Sequence, residues 1–412
     1  MTWVPEWRIT VGDDIYTTVT AASYSIGRLN IDAQCTAGYS RIEIINVDNS
    51  PFTINITDRL QMELKDSGGT YITVFTGEVS DFSIGVKSPD EFGYITTGTI
   101  LGIGSLSKVA KAYYNTALPE ELDGEQIAAI LGEALNGTWA EVTPTLTWAT
   151  YPPTVTWADA ESYYGTIDTG LYTMIAVAAA NLKSSNLVDL IANSALGTVY
   201  ETAQGKINYD DADHRSNYVA ANGSKEFSGL YATPSTIRSQ LQIAKIRNAE
   251  IVKYGTGYAS TYEETDANSI ATYGLFQYKY DSNVKNLSDV TDIVTRDLAL
   301  RATPQNQFGA ITYRLDNSAL PDALRDELIS VFFGEPVVVT NLPENMFDGY
   351  FDGFIENITI SSTPSYVDLT LYLSPLDFSL VAPTWETVVP NNVIWSDVNA
   401  TLTWTKAIGA LT

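Results

Sequence analysis

Few residues in this chain could do chemistry, and most of them are acids. His214 is the only histidine, and it sits in the run Asp210-Asp211-Ala212-Asp213-His214-Arg215. A zinc peptidase needs a set of His, Asp or Cys ligands, and no His-Glu-x-x-His occurs here. A Ser-His-Asp or Cys-His arrangement would have to use His214; its charged hairpin context reads instead as a solvated turn. Two-carboxylate glycan hydrolysis is open to any chain with 49 acids, but Glu120-Glu121 and Asp210-Asp211 read as exposed loop charge. Asp13-Asp14, Asp48-Asn49 and Asp210-Asp211-Asp213 invite calcium, yet none has the spacing of an EF-hand loop, and turns are the preferred reading. Cys35 is the single cysteine, so no intrachain disulfide can form, and it reads as a small buried hydrophobe on a strand. No catalytic residue, cofactor or metal ligand is assigned, and the expectation is a protein that is not an enzyme.

The tryptophans are the other candidates. Trp139, Trp148 and Trp157 stand nine apart, and Trp385, Trp395 and Trp404 close the chain, with Thr-Leu-Thr-Trp at 145–148 and again at 401–404. Nine residues fit one short strand and a turn, so these stretches read as small β-ribbons, with Pro152-Pro153 setting a turn. Trp148, Trp157, Trp395 and Trp404, with Tyr163 and Tyr164, could stack on sugars. The preferred reading is that each Trp anchors its ribbon on a barrel or a neighbouring subunit.

Composition narrows the class. Apolar residues make up 45% of the chain and charged residues 17%, which supports several cores rather than disorder. The formal charge of −26 repels nucleic acid rather than gripping it, although an acidic lining lets a polyanion pass without sticking. The longest apolar stretch, at 174–182, is about half a membrane span. The amino-terminal text lacks a basic region followed by an apolar run, so no secretory signal is expected and synthesis in the cytosol is.

A repeat supplies the elements. Phe-Thr-Gly-Glu-Val-Ser-Asp-Phe-Ser-Ile at 75–84 returns as Phe-Asp-Gly-Phe-Ile-Glu-Asn-Ile-Thr-Ile at 351–360. Phe75, Gly77 and Asp81 align with Phe351, Gly353 and Asn357, and Val79 and Ile84 with Ile355 and Ile360. In both copies the apolar residues begin on odd positions and end on even ones. A strand whose buried face changes parity contains an extra residue or a sharp bend. The flanking text repeats too, giving strand, polar turn, bent strand, turn, strand each time. Duplication implies a job for two equivalent units side by side.

Between the units, apolar spacing predicts helices over about 124–135 with Asp123 as cap, over 185–195, over 286–301 with Ser288 as cap, and over 320–331 with Pro321 in the first turn. A hairpin with Gly205 in its turn is predicted over 198–215, and residues 220–260 show no clear pattern.

Three stretches carry a resemblance. Ser-Ile-Gly-Arg-Leu-Asn-Ile-Asp and the text following it at 25–49, then 56–64 and 74–84, resemble the first domain of bacteriophage tail-hub proteins. Residues 186–209 resemble the helix and hairpin that close the middle region of such a hub, and 283–315 with 332–343 resemble the opening of its second barrel. The likeness covers about residues 1–112 and 186–376, and the Trp-rich ribbons depart from it. It implies a mainly β protein with two tail-tube-like β-barrels, an inserted α+β region and β-ribbons. The expected divisions are 1–112, 113–250 with the 198–215 hairpin a candidate to return to the first barrel, 251–380, and 381–412. It further implies a homotrimer on the tail axis of a virion. Its partners would be distal tail ring and tail-tube proteins, the tape-measure protein and other tail-tip proteins, with DNA passing through unbound and no membrane span. A hexameric distal tail ring protein and a receptor- or cell-wall-glycan-binding tail-tip protein are the alternatives.

Overall fold

Residues 22–27 and 357–362, far apart in the chain, lie side by side in one sheet. The computed structural model describes residues 3–47, 50–90, 93–135, 164–346, 349–376 and 379. The first unit holds β1 (Trp7–Val11), β2 (Asp14–Tyr16), β3 (Val19–Gly27), β4 (Thr36–Asn46), β5 (Arg59–Lys65), β6 (Tyr71–Asp90) and β7 (Gly93–Ile103). A middle region follows with α1 (Leu106–Lys111), β8 (Tyr113–Tyr114), α2 (Asp123–Ala134), β9 (Tyr164–Ile167), β10 (Leu182–Lys183), α3 (Ser184–Ser194), β11 (Thr198–Glu201), β12 (Ile207–Asp210) and α4 (His214–Asn222). Next come β13 (Lys225–Ser228), β14 (Ser239–Leu241), β15 (Ala249–Tyr254), β16 (Ser260–Thr265), α5 (Ala267–Tyr273), β17 (Gln277–Asp281) and α6 (Leu287–Arg301). The second unit is completed by β18 (Asn306–Phe308), β19 (Ala310–Arg314), α7 (Asp322–Ile329), β20 (Pro336–Thr340), β21 (Phe351–Thr363) and β22 (Tyr366–Pro375).

The two units repeat down to the register. β6 pairs with β5 and then β7; β21 pairs with β20 and with β22, all antiparallel. In β6 the register against β7 slips between Val79 and Asp81, and in β21 against β22 it slips between Ile355 and Asn357. Ser80 and Glu356 are thus the extra residues of two β-bulges at the same place, which explains the change of parity. The repeated glycine has one cause in both copies. A Cβ at Gly77 would lie 2.3 Å from the Ile103 carbonyl oxygen, and one at Gly353 would lie 2.2 Å from that of Ser374. Only glycine lets the partner backbone come this close.

The units are fused rather than merely adjacent. β3 of the first unit pairs antiparallel with β21 of the second, from Asn357 opposite Gly27 to Ser362 opposite Ala22. The resulting sheet of 12 strands runs β13-β20-β21-β3-β4-β7-β6-β5-β1-β2, with β22 on β21 and β19 on β22. One apolar core, including Ile9, Ile42, Phe75, Tyr313, Ile355 and Leu371, lies under both units. A second core fills the middle region from α2, α3, β12 and α6, with Ile127, Ile191, Tyr209 and Val294. β13, from the stretch placed in the inserted region, lies parallel to β20 at the end of the large sheet.

Some local expectations need correcting. Asp123 does not cap α2 from outside; it is the first helical residue and fully buried, accepting the Leu171 and Tyr172 N–H groups at 2.8 Å. α6 takes Asn286, not Ser288, at its N-cap, and α7 is shorter than predicted, with Pro321 before its first turn. No helix among the described residues is long and apolar enough to cross a membrane.

Candidate functional site

The seam between the units is built around a buried glutamate. Glu356 is the bulge residue of β21, so its side chain leaves the alternation of the strand and turns inward. Its Oε2 accepts Arg28 Nε at 2.7 Å, and its Oε1 accepts Arg215 Nη1 at 2.6 Å and the Ser374 hydroxyl at 2.6 Å. Arg28 follows β3, and its backbone N–H donates to the Glu356 carbonyl at 2.7 Å. Arg215 belongs to α4. One carboxylate therefore fastens the first unit, the second unit and the middle region together. Phe333 lies beneath both guanidinium groups, each 5.7 Å from its ring centre, and Phe354 lies 4.7 Å from Arg215.

The electrostatics follow from burial and pairing. Burial pushes the Glu356 carboxyl up, but the fields of Arg215 and Arg28 together hold it far below the usual carboxylate range. Burial alone would lower Arg215, and the Glu356 charge more than offsets it, leaving the guanidinium raised. Each charge in the group is matched by a buried partner of opposite sign, and the arrangement is that of a clasp.

A second buried acid ties the β11–β12 hairpin to the first unit. Glu201 accepts the Gly38 N–H at 2.5 Å and the Leu106 N–H at 3.0 Å, and Ser105 donates to the Gly205 carbonyl at 2.6 Å. Burial pushes the Glu201 carboxyl up to about 7, against the pull of the Leu106 and Gly38 N–H groups.

His214 is not in a solvated turn, as its sequence context suggested. It opens α4, and its Nδ1 lies 2.7 Å from Asp168 Oδ2, with Nε2 3.6 Å from Asp210 Oδ1. Asp210 is buried rather than exposed loop charge, and burial pushes its carboxyl up to about 6. The Asp168 contact raises His214 against the effect of its burial. Asp168, Asp210 and His214 are the one compact group of such ligands among the described residues. Its atoms are already engaged in ion pairs and, at Asp210, with the Tyr200 hydroxyl at 3.2 Å. Glu120 is exposed and paired with Lys285. Cys35 is buried just before β4, where burial pushes its thiol up to about 12.

Of the repeat residues, Phe75 and Phe351 are core, Asn357 is buried in the seam, and Asp81 is exposed. Asn357 Oδ1 accepts the Thr359 and Ser25 hydroxyls at 2.9 and 3.3 Å. Trp148, Trp157, Trp395 and Trp404 lie outside the described residues, as do Tyr163 and Asp48-Asn49. Sequence reasoning missed Glu356, Arg28, Arg215 and Glu201. A charged residue inside the second copy of an apolar motif was the available signal for Glu356.

The described chain aligns over nearly its whole length with solved tail proteins. The 43 kDa tail protein of prophage MuSo2 from Shewanella oneidensis superposes with a TM-score of 0.56 at 14% identity, covering 92% of this chain and 100% of that one. The tail protein from Neisseria meningitidis MC58 gives 0.58 at 11%, covering 90% and 96%. This is a phage-tail-protein fold. Prophage tail protein gp18 from Listeria monocytogenes EGD-e gives 0.50 at 9%, covering 90% and 95%. No protein-family model matches the sequence, and no curated protein matches it either. At these identities the likeness speaks for the fold, and in this phage-tail-protein fold the clasp around Glu356 lies where the two repeated units join.

Proposed function

We propose that this protein is a structural component of a phage tail, and specifically a trimeric hub. It would join the tail tube and distal ring to the tail tip, leaving a passage for DNA. The observation that carries the reading is the fused seam, in which two units with the same bulge follow one another edge to edge in one sheet. Three such chains offer six near-equivalent positions, which suits seating on a six-fold tube. The formal charge of −26 suits a bore through which DNA slides without binding. The mass of the native assembly tests the reading. Three chains support the hub, six transfer the protein to the distal ring, and a single chain at all concentrations overturns both.

A further inference from the structure

Each unit has one edge that receives a strand and one strand that is given, and the seam uses only one of each. In β21 the receiving edge is Asn357–Ser362, covered by β3. Its counterpart one unit earlier is 81–86 of β6. Among the described residues β5 accompanies β6 only as far as Glu78, and no strand takes over beyond it. The consequence shows in exposure. Ile360 is 0% exposed, whereas its counterpart Ile84 is 57% exposed and Val86 is 66%. A bare edge with an apolar face is a template for another chain.

The unused given strand is β14. In the second unit β18 and β19 take the part that β4 plays in the first: Ala310 faces Tyr372 as Arg41 faces Leu101. Phe308 and Ile311 are both buried although three apart, so Gly309 is an added residue and Phe308 takes the place of Ser40. β14 sets Ser239, Gln240 and Leu241 opposite Phe308, Gln307 and Asn306. They therefore hold the places of Tyr24, Ser25 and Ile26 on β3. All three residues of β14 are exposed, Leu241 by 61%.

We propose that β14 of one copy of this chain pairs antiparallel with the bare edge of β6 in a second copy, Gln240 opposite Ser83 and Leu241 opposite Phe82. This register transfers the intrachain pairs Ser25 with Thr359 and Ile26 with Ile358. The contact is head-to-tail, so it propagates until the ring closes. The inference rests on the trimeric reading above, which supplies the ring.

The test is a cysteine pair in the full chain. Ser83→Cys with Gln240→Cys places two exposed positions on one face of the new ladder, while Ser83→Cys with Ser239→Cys places them on opposite faces. Cys35 is buried and serves as the silent background. After mild oxidation with diamide, the first pair gives two- and three-chain species on a non-reducing denaturing gel, at least tenfold above the second pair. Light scattering on the parent is run alongside. A three-chain parent with no selective cross-link overturns the strand pairing and leaves the trimer standing. A single-chain parent without cross-link overturns both. Selective cross-links running past three chains keep the pairing and overturn the threefold ring.

Discussion

The two bent strands share a bulge at the same register and differ in what they do with it. β6 spends its extra residue on Ser80, an exposed hydroxyl that donates to the Leu101 carbonyl at 3.1 Å. β21 spends its own on Glu356, buried between two arginines. Beyond the bulge, β6 runs on uncovered while β21 is sealed by β3. One duplicated device thus serves as an internal joint in one copy and as an open edge in the other. The bulge sets the geometry, and the residue placed in it decides whether the joint is locked.

Glu356→Gln breaks that difference most severely. It leaves two buried guanidinium groups facing a neutral amide, and removing one member of a buried ion cluster costs about 3–5 kcal/mol. Ser80→Ala, at the matching position, is expected to stay within about 0.5 kcal/mol, as exposed substitutions do. Denaturant unfolding of both variants checks the contrast, and equal losses would mean that the clasp does not hold the seam.

Ile360→Ala and Ile84→Ala sharpen it at the next level. The first opens a cavity in the seam and should cost about 2–5 kcal/mol. The second touches exposed surface in a single chain and should leave the unfolding midpoint unchanged there, while weakening assembly. Unfolding measured on dilute single chains, with light scattering on concentrated ones, separates the two effects.

The smallest expected effect is a difference in pH dependence. The Glu201 carboxyl, at about 7, is raised above its unfolded value by burial, so the folded state holds its proton more tightly. Its contribution is full below the unfolded value and is lost as pH rises through about 7. Glu356 has the opposite sign: its depressed carboxyl contributes at neutral pH and loses that contribution as pH falls toward its folded value. Between about pH 5 and pH 8, Glu201→Gln should therefore flatten the fall in stability expected of the parent. A profile as steep as the parent's would assign that titration to another group.

How legible all this was depended on range. The bent strands announced themselves through parity and a repeated glycine, because alternation along a strand is a local consequence of the pleat. α2, α3 and α6 were readable from apolar spacing for the same reason. The clasp was not, since Arg28 and Arg215 reach Glu356 across 328 and 141 residues. His214 and Asp210 misled because an acidic run looks solvated until a distant partner such as Asp168 closes over it. Among the short strands after residue 220, β13 and β14 were illegible because each takes its partner far along the chain: β13 pairs with β20 and β14 with β18.

The measurement that bears most directly on the account is amide hydrogen exchange along β6 and β21, taken on the dilute single chain and on the assembly. In the single chain, the outward-facing amides at 81–86 should exchange fast while those at 357–362 are protected by β3. In the assembly both stretches should be protected alike. Fast exchange at 81–86 in an intact assembly would contradict the claim that the bare edge of the first unit is the intermolecular twin of the seam.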